Sequence, residues 1–142
     1  MIDDAGAGGT AATARGSDVV ELRLPADGAY LSVLRTATAG LAARLDFTLD
    51  EIEDLRIAVD EACALLLPDA VPDAAMTCYF SLADRSLAVT VTVPSRTGRV
   101  PKRNTFAWTV LTALATAVDV RISEPDVLTI ELSRARPAHG FA

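Results

Sequence analysis

Four cations, Arg96, Arg99, Lys102 and Arg103, fall within eight residues of one another. They stand just before Asn104 and Thr105, either of which can cap a helix with its side-chain oxygen. Guanidinium and ammonium groups beside a helix N-terminus have the chemistry of an anion site. The competing reading is a solvated loop on an acidic protein. A second candidate is Glu61, in the run Val59-Asp60-Glu61-Ala62, where it lies off the apolar stripe of its helix. Such a carboxylate is either a general base or an ordinary hydrogen-bonding side chain. Cys63 and Cys78 are too few for a disulfide framework or a metal site and read as two small buried hydrophobes. A redox role would require one of them to be exposed with a lowered pKa. The single histidine, His139, has no neighbours that would tune it, and Trp108 reads as a core or interface side chain.

These groups need elements to hold them. Val19–Leu24 alternates apolar and polar residues and stops at Pro25, which predicts a short strand. A first helix follows, capped near Asp27 or Gly28, with Leu31, Leu34, Thr38, Leu41 and Leu45 facing inward. Thr48 and Glu51 form a capping box at the start of a second helix. Ile52, Leu55, Val59, Ala62 and Leu66 make its apolar stripe, and Pro68 and Pro72 end it. Acidic residues crowd its first turns (Asp46, Asp50, Glu51, Glu53, Asp54), where the helix dipole favours them. Met76–Leu82 and Leu87–Val93 predict a hairpin about Ala83-Asp84-Arg85-Ser86. After the loop Pro94–Arg103, a third helix is expected over Phe106–Ala117, with Val110, Leu111, Leu114 and Val118 inward. Val120–Ser123 and Val127–Leu132 predict a second hairpin.

Residues 1–17 carry almost no large apolar side chain and predict a disordered tail. Residues 18–134 form one domain, and 135–142 a flexible tail. The order β-α-α-β-β-loop-α-β-β is an α+β arrangement, a two-layer sandwich with three helices on one face of a mixed, mostly antiparallel sheet. The chain is 51% apolar and 5% aromatic, so its core is built from Ala, Leu and Val. No apolar run is long enough to span a bilayer, and the acidic start Met1-Ile2-Asp3-Asp4 does not read as a secretory signal. A cytoplasmic location is expected. The net charge of −6 argues against a nucleic-acid footprint.

Three stretches carry a family likeness: Leu45-Asp46-Phe47-Thr48-Leu49-Asp50-Glu51, Leu55-Arg56-Ile57-Ala58-Val59-Asp60-Glu61-Ala62, and Phe106-Ala107-Trp108-Thr109-Val110-Leu111-Thr112-Ala113-Leu114. Together with the element order they resemble the GHKL (histidine-kinase-like, or Bergerat) ATPase fold. Within it they resemble the anti-sigma regulatory factors and anti-sigma serine-protein kinases, especially their actinobacterial members, over residues 19–134. The resemblance implies a glutamate followed one helical turn later by a Mg²⁺-binding asparagine, with the glutamate helping to polarise the reacting group. Here those positions are Glu61 and Leu65, and a hydrocarbon has no lone pair for a hard cation. The family's adenine-binding aspartate, in an Asp-x-Gly-x-Gly motif after the third strand, falls on Ser95. Its glycines fall on Thr97 and Arg99, with Gly98 able to replace one by a shift of register. Where glycine-rich backbone should cradle phosphate, this chain has Lys102, Arg103, Asn104, Thr105, Phe106 and Trp108.

The metal ligand, the adenine carboxylate and the phosphate glycines are thus replaced together. The expectation is a degenerate nucleotide site, no required cofactor and no metal site. The resemblance further implies a homodimer that sequesters a sigma factor and is countered by an anti-anti-sigma protein of the STAS type. In the family an arginine of the first helix touches both partners, and the matching position is Arg35. Asp50, Glu51, Glu53 and Asp54 offer an acidic face suited to the basic surfaces of a sigma factor. The alternative is an ATP-dependent serine-protein kinase acting on the antagonist, with Mg-ATP as cofactor and Glu61 as base. A redox sensor built on the two cysteines ranks last.

Overall fold

The computed structural model describes residues 18–137. The elements run β1 (Asp18–Pro25), a 3-10 turn (Gly28–Tyr30), α1 (Leu31–Arg44), α2 (Leu49–Leu66), a second 3-10 turn (Leu67–Asp69), β2 (Ala75–Ala83), β3 (Ser86–Pro94), α3 (Phe106–Leu114), β4 (Ala117–Ser123) and β5 (Val127–Ala135). The expected tail at 1–17 and residues 138–142 of the one expected at 135–142, with His139, lie outside the described residues; the chain is held further than expected, since Ala135 closes β5 and the Arg136 amide donates to the Arg85 carbonyl at 2.7 Å.

The five strands form one sheet in the order β1-β2-β3-β5-β4. Every pairing in it is antiparallel, the limit of the mostly antiparallel sheet expected. Alternation along the strands decides which face is covered. Met76, Cys78, Phe80 and Leu82 of β2, Leu87, Val89, Val91 and Val93 of β3, and Leu128, Ile130 and Leu132 of β5 are all buried. Cross-strand register places Phe80 opposite Val89 and Val91 opposite Ile130, so these rows make one continuous apolar floor. The opposite face carries Thr77, Tyr79, Thr90, Thr92, Glu131 and Arg121.

Helix α2 lies on that floor. Leu55, Ala58, Val59, Ala62, Cys63 and Leu66 are buried along it, at the three- and four-residue spacing that keeps one face turned inward. It packs against β3 and β5 below and against both other helices beside it. Its start is held as expected: the Thr48 hydroxyl accepts from the Glu51 amide at 3.1 Å, and the Glu51 carboxylate accepts from the Thr48 amide at 2.7 Å. Helix α1 ends just before it. The Phe47 amide reaches the Ala42 carbonyl at 3.2 Å and the Asp46 amide reaches Ala43 at 3.1 Å, with Asp46 left-handed at φ 60°. That pair of bonds satisfies carbonyls the helix would otherwise orphan.

Helix α3 is shorter than its periodicity predicts. It stops at Leu114, and Ala117 already opens β4. Two contacts from distant sequence end it: the Arg134 guanidinium donates to the Leu114 carbonyl at 2.8 Å, and the Thr116 amide joins the Ser133 carbonyl at 2.7 Å. Val118 therefore packs on the core from a strand rather than from the helix. No helix among the described residues is long and apolar enough to cross a membrane.

Candidate functional site

The second half of α2, the loop after β3 and the first turn of α3 meet at one end of the sheet. Glu61 is half-buried and makes no hydrogen bond or ion pair with another described residue. Leu65, one turn further, is packed against the core. Its hydrocarbon fills the position at which a metal-binding oxygen would have to stand.

Ser95 is buried at 7% exposure, and its hydroxyl is engaged both as donor and as acceptor. It donates to the Asp69 carboxylate and accepts from the Gly98 amide at 2.9 Å. The loop is further tied to the chain that follows α2. The Val71 amide donates to the Pro94 carbonyl at 2.9 Å, and the Arg96 amide to the Asp69 carbonyl at 2.7 Å. The Arg96 guanidinium reaches the Pro68 carbonyl at 2.8 Å, and the Ser95 amide reaches Asp126 at 2.8 Å. Gly98 is a genuine glycine position: its φ is +68°, and a Cβ there would meet the Asp126 carboxylate oxygen at 3.1 Å. It shapes the turn that closes on Ser95. Thr97 accepts from the Arg99 amide at 3.2 Å, a bond internal to the loop.

Thr105, rather than Asn104, caps α3, accepting from the Trp108 amide at 3.2 Å. Arg103 lies over the Trp108 ring, 4.9 Å from its centroid, and Trp108 itself packs against the core. Arg99 and Lys102 are exposed. Among the described residues none of Arg96, Arg99, Lys102 and Arg103 forms an ion pair. The first turn of α3 carries Phe106 and Trp108 where the resemblance implies bare glycine backbone. An oxygen ligand set for Mg²⁺ and an open carboxylate for adenine are therefore both missing from the positions the resemblance assigned. Mg-ATP in the family manner does not fit these residues. Nor do the described residues hold a cluster of three His, Cys, Asp or Glu that could bind a metal.

Arg35, on α1, reaches the second half of α2 from the side. Its guanidinium pairs with the Asp60 carboxylate at 2.9 Å, joining α1 to α2 one residue before Glu61. Neither Asp60 nor Asp69 was singled out from sequence. Each acts through a partner 25 or 26 residues away, and no local pattern marks it. The expected acidic face is largely neutralised. Glu51 serves the capping box and lies 3.5 Å from Arg136, Asp54 pairs with Arg134 at 3.0 Å, and Glu53 pairs with Arg56 at 3.1 Å. Of the four, Asp50 alone has no partner among the described residues. Cys63 and Cys78 are fully buried, and that burial pushes both thiols up to about 12, with Cys78 and Asp60 adding to the effect at Cys63. Thiols so protonated are poor nucleophiles, which removes the redox reading.

No family model matches the chain. The sequence is 36% identical over 101 residues to the anti-sigma-F factor RsbW of Mycobacterium tuberculosis, a match covering 71% of this chain and 60% of that protein. It is 41% identical over 56 residues to the serine-protein kinase RsbW of Bacillus velezensis, covering 39% of this chain and 35% of the relative. The chain is a homologue of the RsbW proteins. It spans about 60% of the length of the mycobacterial relatives. The fold agrees: a crystal structure of the RsbU and RsbW domains of Rv1364c from M. tuberculosis superposes with a TM-score of 0.62 over 88% of this chain and 35% of the other, at 16% identity. The α+β sandwich of the RsbW structure is thus shared by this chain.

Proposed function

We propose that this chain is a cytoplasmic anti-sigma regulator that works by binding and not by turnover. It sequesters a sigma factor, a STAS-type anti-anti-sigma protein competes for the same surface, and the chain acts as a homodimer. Neither nucleic acid nor a membrane is a partner. The observation that carries this reading is the joint state of Leu65 and Ser95 on an RsbW-type scaffold. One is a half-buried hydrocarbon packed against the core, and the other gives its proton to Asp69 and accepts from Gly98. The name of the mycobacterial relative, an anti-sigma-F factor, supports the choice of partner. Arg35 is the residue assigned to partner contact. Asp60 holds one of its nitrogens, leaving other N–H donors of the fork for a carboxylate or carbonyl.

One observation favours a second reading. Glu61 is half-buried and without a partner among the described residues, and relatives in Bacillus are named serine-protein kinases. In that reading Glu61 is the base for phosphorylation of the antagonist. The two separate in one experiment. The purified chain is mixed with a sigma factor from the same genome in EDTA without nucleotide, and the complex is followed by size-exclusion chromatography and calorimetry. Binding should persist, and Arg35→Ala should weaken it at least about tenfold, as for a buried arginine anchor. A complex that forms only with Mg-ATP contradicts the binding-only reading.

A further inference from the structure

Between Asp84 and Asp119 the chain contains no Asp or Glu, although its net charge is −6. Inside that acid-free stretch lie all four loop cations. The nearby carboxylates do not neutralise them: Asp69 is taken by Ser95, Asp126 lies against Gly98, and neither forms an ion pair. Elsewhere among the described residues Arg23, Arg44 and Arg85 are also without an ion pair, but most arginines have one. Arg35, Arg56, Arg121, Arg134 and Arg136 each stand within ion-pair distance of a carboxylate.

A second observation coincides with the first. Phe106, the first residue of α3, is 79% exposed, and Val100 in the loop is 44% exposed. The helix explains why Phe106 stays out: two residues on, about 200° around the axis, Trp108 turns toward the core. An aromatic side chain left in water beside unpaired cations is the composition of an interface centre, not of an ordinary solvated loop. Arg103 is already held by its stacking on Trp108, so less of its side-chain freedom is lost when its donors are engaged.

We propose that the surface formed by Arg99, Val100, Lys102, Arg103 and Phe106 is a docking site for an acidic protein segment carrying an apolar side chain. Carboxylates of the segment meet Arg99, Lys102 and Arg103, while its apolar side chain covers Phe106 and Val100. The site occupies the end of the fold where the family's nucleotide would lie, so loss of that ligand leaves a surface of opposite sign to the rest of the protein. It is independent of the contact assigned to Arg35 on α1.

The test uses the full chain, labelled with ¹⁵N, and a short synthetic peptide of alternating glutamate and leucine with one phenylalanine. Its lysine counterpart serves as control. Saturable shifts confined to residues 96–108 and the Trp108 indole, absent with the lysine peptide, are expected. Arg99→Glu with Lys102→Glu should weaken binding at least about tenfold, and raising salt to about 0.3 M should weaken it severalfold. Phe106→Ser, an exposed change that leaves the fold intact, should weaken it about threefold to tenfold. Shifts scattered over the surface, or no saturable binding, overturn the proposal. So does equal or tighter binding of pyrophosphate or a single-stranded oligothymidylate to the same residues, which would make this a phosphate site. None of these outcomes depends on a sigma factor, so the binding-only reading stands or falls separately.

Discussion

The two ends of α2 are built on opposite plans. At its N-terminus the charges close on one another: Thr48 and Glu51 cap the helix, Asp54 meets Arg134, Glu53 meets Arg56, and Arg136 reaches toward Glu51. Arg134 also ends α3 by taking the Leu114 carbonyl. At the other end, among the described residues, the cations of the loop pair with no carboxylate and Phe106 is 79% exposed, while Leu65 and Leu66 pack with the core. One end joins three elements into a fold; the other presents unused chemistry outward. With the docking proposed for the loop, stability and recognition would be separated along a single helix.

That contrast can be broken in order of effect. Leu66→Ala removes a fully buried side chain beneath the loop and should cost about 2–5 kcal/mol in urea unfolding. A small loss there would mean that the open end is loosely packed throughout. Arg134→Ala removes both an ion pair and a helix-end hydrogen bond, and should cost about 1–3 kcal/mol by the same measurement. If it costs nothing, the closed end does not hold the fold.

Cys63 and Cys78 sharpen the picture of the interior between the two ends. Both thiols rise from 9.0 to about 12 on folding, so the folded state binds protons that the unfolded state has lost. Their stabilisation is complete below pH 9 and disappears as pH climbs from 9 toward 12. Over that window stability should fall by about 1.4 kcal/mol per pH unit for each thiol. Replacing both by alanine should flatten that slope, measured as the pH dependence of the urea midpoint. Smallest of all, Arg99→Ala and Lys102→Ala should each shift stability by no more than about 0.5 kcal/mol. A larger loss would show that the loop cations hold the fold.

How much of this was legible in the sequence follows the range of the interactions. The capping box of α2 was readable because Thr48 and Glu51 are three residues apart and satisfy each other. Both hairpins were readable from alternation and from short polar turns. The end of α3 was not: Leu114 and Ala117 share the same apolar pattern, and the stop comes from Arg134, twenty residues on. At Leu65 and Ser95 the sequence showed what those residue types lack only once the family resemblance had assigned them a metal and an adenine position. That Ser95 is also closed off by Asp69 could not, since only the folded chain brings them together. The acidic run on α2 read as an open face because its partners, Arg134 and Arg136, arrive from the end of β5.

The central claim is that the scaffold persists without its nucleotide. Its most direct test is calorimetric titration of the purified chain with ATP and ADP, with and without Mg²⁺, alongside thermal unfolding at the same concentrations. The account predicts no saturable heat and no rise in melting temperature even at millimolar nucleotide, because Leu65 offers no metal ligand and Ser95 is a buried hydroxyl, with its proton given to Asp69, where the resemblance implies a carboxylate. Micromolar, Mg²⁺-dependent binding would contradict it, and would return Glu61 to the role of a catalytic base.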